Sequence, residues 1–392
     1  MARCALALWM ALATCTAHVA GAAPFRPERD DEVLEVLPAA LLGEAAELRR
    51  LRAALAGDPG NFTLAAALAW RFVALGRAES DPRAFGWAEG VLAPWLAESD
   101  PPSEALLLRA TLRQNRHDFA RALGDLDRVL ARDPRHARAW HTRAVILGVQ
   151  GDPSGAERAC RPLLRLADPL TALSCLANAA GLGGRGEQSL ALLEGALASA
   201  PEAPAELRRF ALTSLAELAA RVGRDASAEQ WFARALALGG RDVYLLAARA
   251  DFLLERGRPG EVIALLAGET RADGLLLRLA LAVRQLGADE LTAHVTALRA
   301  RFAAGRARGE SVHLGEEARF ALALEGDAAA ALVLASRNFA LQKEPRDARI
   351  LLEAALASSE PAAARPALDW MAATGIEDPA LARLAARVAA LR

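Results

Sequence analysis

Three alanines, Ala88, Ala122 and Ala156, stand 34 residues apart, each on the second of two successive apolar stripes. A short unit repeated at a fixed interval cannot bury its apolar face alone, so its copies must stack side by side. The clearest copy runs from Ala137 to Pro169. Trp140, Ala144, Leu147 and Val149 form one stripe, Gly151-Asp152-Pro153 breaks it, and Ala156, Cys160, Leu163 and Leu164 begin the next. Both stripes keep the three-to-four residue period of amphipathic helices. Gly151 suits the left-handed turn that ends a helix, and Pro153 suits the first turn of the following one. Ala144 and Ala156 are small where two paired helices must approach closely.

The other copies flank this one. An edge helix is expected from Pro38 to Ala56, ended by Asp58-Pro59-Gly60. The first repeat opens at Phe62 with Leu68, Ala69 and Phe72, and residues 77 to 83 stretch its turn into a loop. The second runs through Ala110, Phe119, Ala122 and Leu126. Beyond the centre the breaks fall at Gly151, Gly184, Gly223, Gly257 and Gly287, spaced 33, 39, 34 and 30 residues apart. Degenerate hairpins follow Gly309, and Pro379 to Arg392 reads as a closing helix. The expected organisation is a signal segment over 1–23, a lead-in and edge helix over 24–60, a repeat array over 61–300, and degenerate repeats with capping helices over 301–392.

Period and signature together resemble the tetratricopeptide repeat: Trp140, Ala144, Gly151, Ala156 and Pro169 occupy the family's signature places. The resemblance implies an all-α, right-handed superhelical solenoid of stacked antiparallel helix hairpins. It also implies a concave groove, lined by the first helices, that binds an extended peptide or a protein. Carried over position by position, the groove residues are Trp70, Gln114, Arg138, His141, Ser174, Asn178, Thr213, Glu217, Tyr244 and Asp251. Asn178 can donate and accept together, as a peptide backbone requires, and Trp70 and Tyr244 are candidate aromatic anchors. The lysine-rich clamp by which some members grip a carboxylate is absent, because Lys343 is the only lysine.

Composition narrows the function. A net charge of -1 gives no positive excess to drive nucleic-acid or acidic-membrane binding. Arg3, the apolar run Cys4–Ala13 and the small residues 20 to 23 have the layout of a secretory signal cleaved near Ala22 or Ala23. An exported protein, periplasmic in a Gram-negative cell, is the expectation; the alternatives are a secreted protein and a lipoprotein processed at Cys15. No later segment reaches the ~20 apolar residues of a membrane span. After cleavage Cys160 and Cys175 remain, about equally far from the turn at Asp168-Pro169, level with one another in an antiparallel pair. They read as a disulfide or as two buried thiols.

No catalytic constellation, cofactor motif or metal-ligand spacing stands out. His117, His136, His141, His294 and His313 form no HExxH arrangement. The glycine-rich stretch Gly181 to Gly186 falls at a repeat turn and lacks the Lys-Ser/Thr of a phosphate loop. The reading is a non-enzymatic scaffold that binds a protein or extended peptide within a cell-envelope assembly, with no cofactor. A lipid-anchored structural component and a small-ligand carrier or enzyme are the alternatives.

Overall fold

A computed structural model of the chain describes Arg29, residues 39–309 and residues 313–391. The signal segment, Cys15 and most of the lead-in lie outside the described residues. The chain divides at Arg50. Of residues 1–50 the structure describes Arg29 and the first part of helix α1 (Ala39–Gly57); residues 51–392 form one compact unit.

The described elements of this unit are helical. Antiparallel hairpins follow one another: α2 (Phe62–Glu79) with α3 (Pro82–Leu96), α4 (Ser103–Asn115) with α5 (Phe119–Arg132), and α6 (Ala137–Val149) with α7 (Pro153–Cys160) and the single turn α8 (Leu163–Leu166). Then come α9 (Pro169–Leu182) with α10 (Gly186–Ala198), α11 (Ala205–Arg221) with α12 (Asp225–Ala237), α13 (Val243–Glu255) with α14 (Pro259–Leu265), and α15 (Asp273–Leu286) with α16 (Leu291–Ala307). This is an all-α helical-repeat solenoid of stacked antiparallel hairpins.

Local chemistry sets the hairpins. Gly151 has φ +79°, and the Asp152 side chain caps α7 by accepting from the Gly155 N–H at 2.7 Å, with Pro153 in the first turn. Asp168 and Pro169 do the same for α9. The periodic alanines Ala88 and Ala122 are fully buried and Ala156 nearly so, so the paired helices meet where side chains are small. Two details differ from the sequence reading. Pro162 interrupts the second helix of the central hairpin, since a proline inside a helix removes a backbone donor and clashes with the preceding turn. Residues 77 to 79 continue α2, Ser80 takes a left-handed φ of 52°, and Asp81 caps α3, so little of the expected loop remains.

The helices beyond residue 313 turn back on the array. They are α17 (Leu314–Phe320), a π-helical stretch over Ala321–Glu325, α18 (Ala328–Leu341), α19 (Pro345–Ala357), α20 (Arg365–Thr374) and α21 (Pro379–Ala389). Their side chains build their own apolar cluster around Phe339, Leu351, Leu352 and Trp370. The larger array cluster runs from Leu170 to Phe302 and takes in Phe320. We call the segment from 314 to 389 the C-terminal lobe.

Candidate functional site

The first helices of the array present equivalent positions to one space. Asn178, Glu217 and Asp251 are separated by 39 and 34 residues, the same intervals that separate the repeat-ending glycines 184, 223 and 257. They are one position seen in three successive repeats, and all three line a half-open cavity of about 910 Å³ between the array and the C-terminal lobe. His141 and Tyr244 line it too. Five of the ten groove residues expected from the sequence therefore meet in one lumen.

The remaining five lie elsewhere. Trp70 donates through Nε1 to Glu104 at 2.5 Å, and the Arg138 guanidinium sits 4.4 Å from its ring centroid. Residues 70, 104 and 138 stand 34 apart, so this cluster is another ladder of equivalent positions, closed upon itself. Ser174 and Thr213 are buried, and the Thr213 hydroxyl donates to the Arg209 carbonyl at 2.9 Å. Gln114 is half-buried on α4 and is not among the lumen-lining residues.

The lumen is polar and largely paired. Asn178 donates through Nδ2 to the Ser214 hydroxyl at 3.2 Å. The Tyr244 hydroxyl donates to the Glu217 carboxylate at 2.8 Å. Tyr244 is 51% exposed and lines this half-open cavity. Desolvation by the cavity walls, with the Glu217 charge beside it, raises the Tyr244 phenol above its ordinary range. Burial likewise raises Glu217 against the opposing pull of the Tyr244 hydrogen bond and Arg221, and it lowers His141, with Arg77 adding to the effect.

Asp251 is the centre of the strongest charge network. It accepts from Arg278 of α15 at 2.5 Å and from Arg319 of α17 at 2.6 Å. Burial alone would raise its carboxyl, but the two guanidiniums outweigh burial and hold it far below the usual carboxylate range. The Arg278 side chain is only 6% exposed and also donates to the carbonyls of Ala247 and Gly274. An arginine in the otherwise apolar run Leu275–Val283 is a signal that the sequence carried and its reading passed over. Arg319, Glu344 and Arg346 come from the C-terminal lobe, and only the chain's return brings them to the lumen.

Cys160 and Cys175, joined by a disulfide with Cα atoms 5.7 Å apart, border the lumen from α7 and α9. The turn between α2 and α3 is pinned from across the array: Arg241 donates to the Ala78 carbonyl and lies 3.5 Å from Glu79, while also pairing with Glu269 at 2.9 Å. No described helix is long and apolar enough to cross a membrane.

No protein-family model matches the chain, and no curated protein matches it. Among solved structures it is similar to a tetratricopeptide repeat protein from Parabacteroides merdae, at 16% identity and a TM-score of 0.42 over 61% of this chain and 87% of that one. It is also similar to a chain of the APC/C hetero-tetramer Cut9-Hcn1, at 15% identity and a TM-score of 0.32 over 89% of this chain and 87% of that one. A third likeness is to Naa15/Naa10 bound to HypK-THB, at 19% identity and a TM-score of 0.28 over 84% of this chain and 50% of that one.

Proposed function

We propose that the chain is a non-enzymatic helical-repeat scaffold that holds a segment of a partner protein against the inner face of its array, within a cell-envelope assembly. The observation that carries this reading is the ladder of Asn178, Glu217 and Asp251, with Tyr244 beside it. Successive repeats set polar side chains at one equivalent position toward one solvent-reached space, and an extended backbone can use them by exchanging their present partners. Tyr244 adds an aromatic surface of the kind that dominates many interfaces. The cavity also supports a second reading, a small-ligand carrier, because about 910 Å³ falls within the usual range of ligand pockets.

The test is a photo-crosslinking amino acid placed in cells at position 244 and, separately, at Leu192, which is exposed outside the lumen-lining set. A protein captured from 244 and lost on Asn178→Ala supports the scaffold. Capture from 192 alone moves the interface to the outer face, and a small molecule copurifying with the wild type favours the carrier.

A further inference from the structure

The C-terminal lobe meets the array through a seam unlike the contacts within either body. Its own apolar cluster is separate from that of the array, and a series of hydrogen bonds and ion pairs crosses the seam. The Lys343 N–H donates to the Val149 carbonyl at 2.7 Å. Gln342 Nε2 lies 3.2 Å from His117 Nδ1. The Glu377 carboxylate accepts from the Gly186 N–H at 2.9 Å, at the start of α10. On the inner face Arg319 reaches Asp251, and Arg349 pairs with Glu255 at 3.1 Å.

These contacts have an order. His117, Val149 and Gly186 sit at the turns of three successive repeats, so the lobe lies along one edge of the array and walls one side of the lumen. The fit is close: a Cβ on Gly151 would fall 2.7 Å from Trp370 Nε1, and one on Gly184 would fall 2.5 Å from the Gly375 carbonyl oxygen. The joint that carries the lobe is different in kind. Phe320 belongs to the array core and packs on Phe302 with ring centroids 5.4 Å apart. The lobe, though part of one compact unit, has its own apolar cluster and is held by an apolar joint at one end and polar contacts along an edge, a makeup suited to local opening.

We propose that the lobe is a displaceable closure, an internal occupant of the array's edge and inner face that undocks as a body while both cores stay folded. The open state admits a client to the lumen; this last step alone rests on reading the lumen as a binding surface. Docking and client binding then compete, and weakening the seam raises client affinity.

The opening is measured without any client, by hydrogen exchange of the full chain read by mass spectrometry, so its failure and that of the scaffold reading are distinguishable. Arg319→Ala with Arg349→Ala removes two inner-face contacts, and Glu377→Gln, as a milder second variant, weakens the edge. The expected result for the double variant is exchange about tenfold faster, together, at segments containing Lys343 and Gly186, with segments of α11 unchanged. Glu377→Gln accelerates the Lys343 segment as well as its own neighbour. Acceleration confined to the mutated neighbourhoods, no acceleration, or equal acceleration of α11 would each overturn the proposal.

Discussion

The array and the seam are built from different forces. Within the array, the rings of Phe232 and Phe252 meet at a tilt, 5.5 Å between centroids, among buried leucines and alanines. Along the seam, amides, carboxylates and guanidiniums meet at hydrogen-bond distance. Apolar burial is the larger and less directional contribution, and it builds each body. Charge and hydrogen bonding add less net stability but fix geometry. A solenoid can thus be stable throughout while one edge contact stays reversible.

The comparison breaks most visibly on the apolar side. Phe232→Ala removes a buried ring and should cost about 3–5 kcal/mol, read as a lower denaturant midpoint with the array's amides losing protection. Breaking the Cys160–Cys175 bond comes next. It closes a sequence separation of 15 residues, and its loss by Cys160→Ser should cost about 3 kcal/mol in the chain-entropy model. Thermal unfolding with and without reductant checks this, and reductant should have no further effect on the variant.

Gly184→Ala addresses the seam. The φ of 74° disfavours any side chain, and the Gly375 carbonyl leaves no room for one. The left-handed conformation alone costs about 1–2 kcal/mol. Hydrogen exchange should locate the loss at the lobe edge. Gly223, with φ +84° and nothing near its missing Cβ, is the control: Gly223→Ala should carry the backbone cost without undocking.

The smallest effect sharpens the comparison through pH. Asp347 caps α19 by accepting from the Glu344 N–H at 3.0 Å and takes a 2.8 Å hydrogen bond from Asn338. Burial raises its carboxyl from 3.8 to about 6, against the pull of neighbouring Arg346. In that window the folded chain holds a proton that the unfolded chain has released, so this group's contribution makes stability fall as pH rises through it. Asp347→Asn should remove that slope while losing one hydrogen bond, about 1 kcal/mol. Asp251 behaves oppositely: its carboxyl is held low, so its contribution is fully present above the normal carboxylate range and is lost progressively as pH falls through that range into strong acid. Stability curves from pH 4 to 7 for wild type and Asp347→Asn decide the sign.

The array is legible in the sequence because its signals are local. The alanines at 88, 122 and 156 recur at a fixed interval, and Gly151-Asp152-Pro153 states a turn in three residues. The site is legible only in part. Asn178, Glu217 and Asp251 follow from repeat register, whereas Ser174 and Thr213 share a register yet point into the packed interior. Arg319, Arg349 and Glu377 carry no repeat signal, and their roles depend on a chain reversal that no local pattern encodes. The buried Arg278 was readable as an anomaly, but its partner Asp251 lies a full repeat away.

Small-angle X-ray scattering of the full chain, comparing wild type with Arg319→Glu and Arg349→Glu combined, tests the polar closure most directly. The charge reversal sets glutamates against Asp251 and Glu255. The predicted result is a larger radius of gyration with unchanged far-ultraviolet circular dichroism. An unchanged scattering curve, or expansion accompanied by loss of helix, would contradict a closure held by charge and separable from both cores.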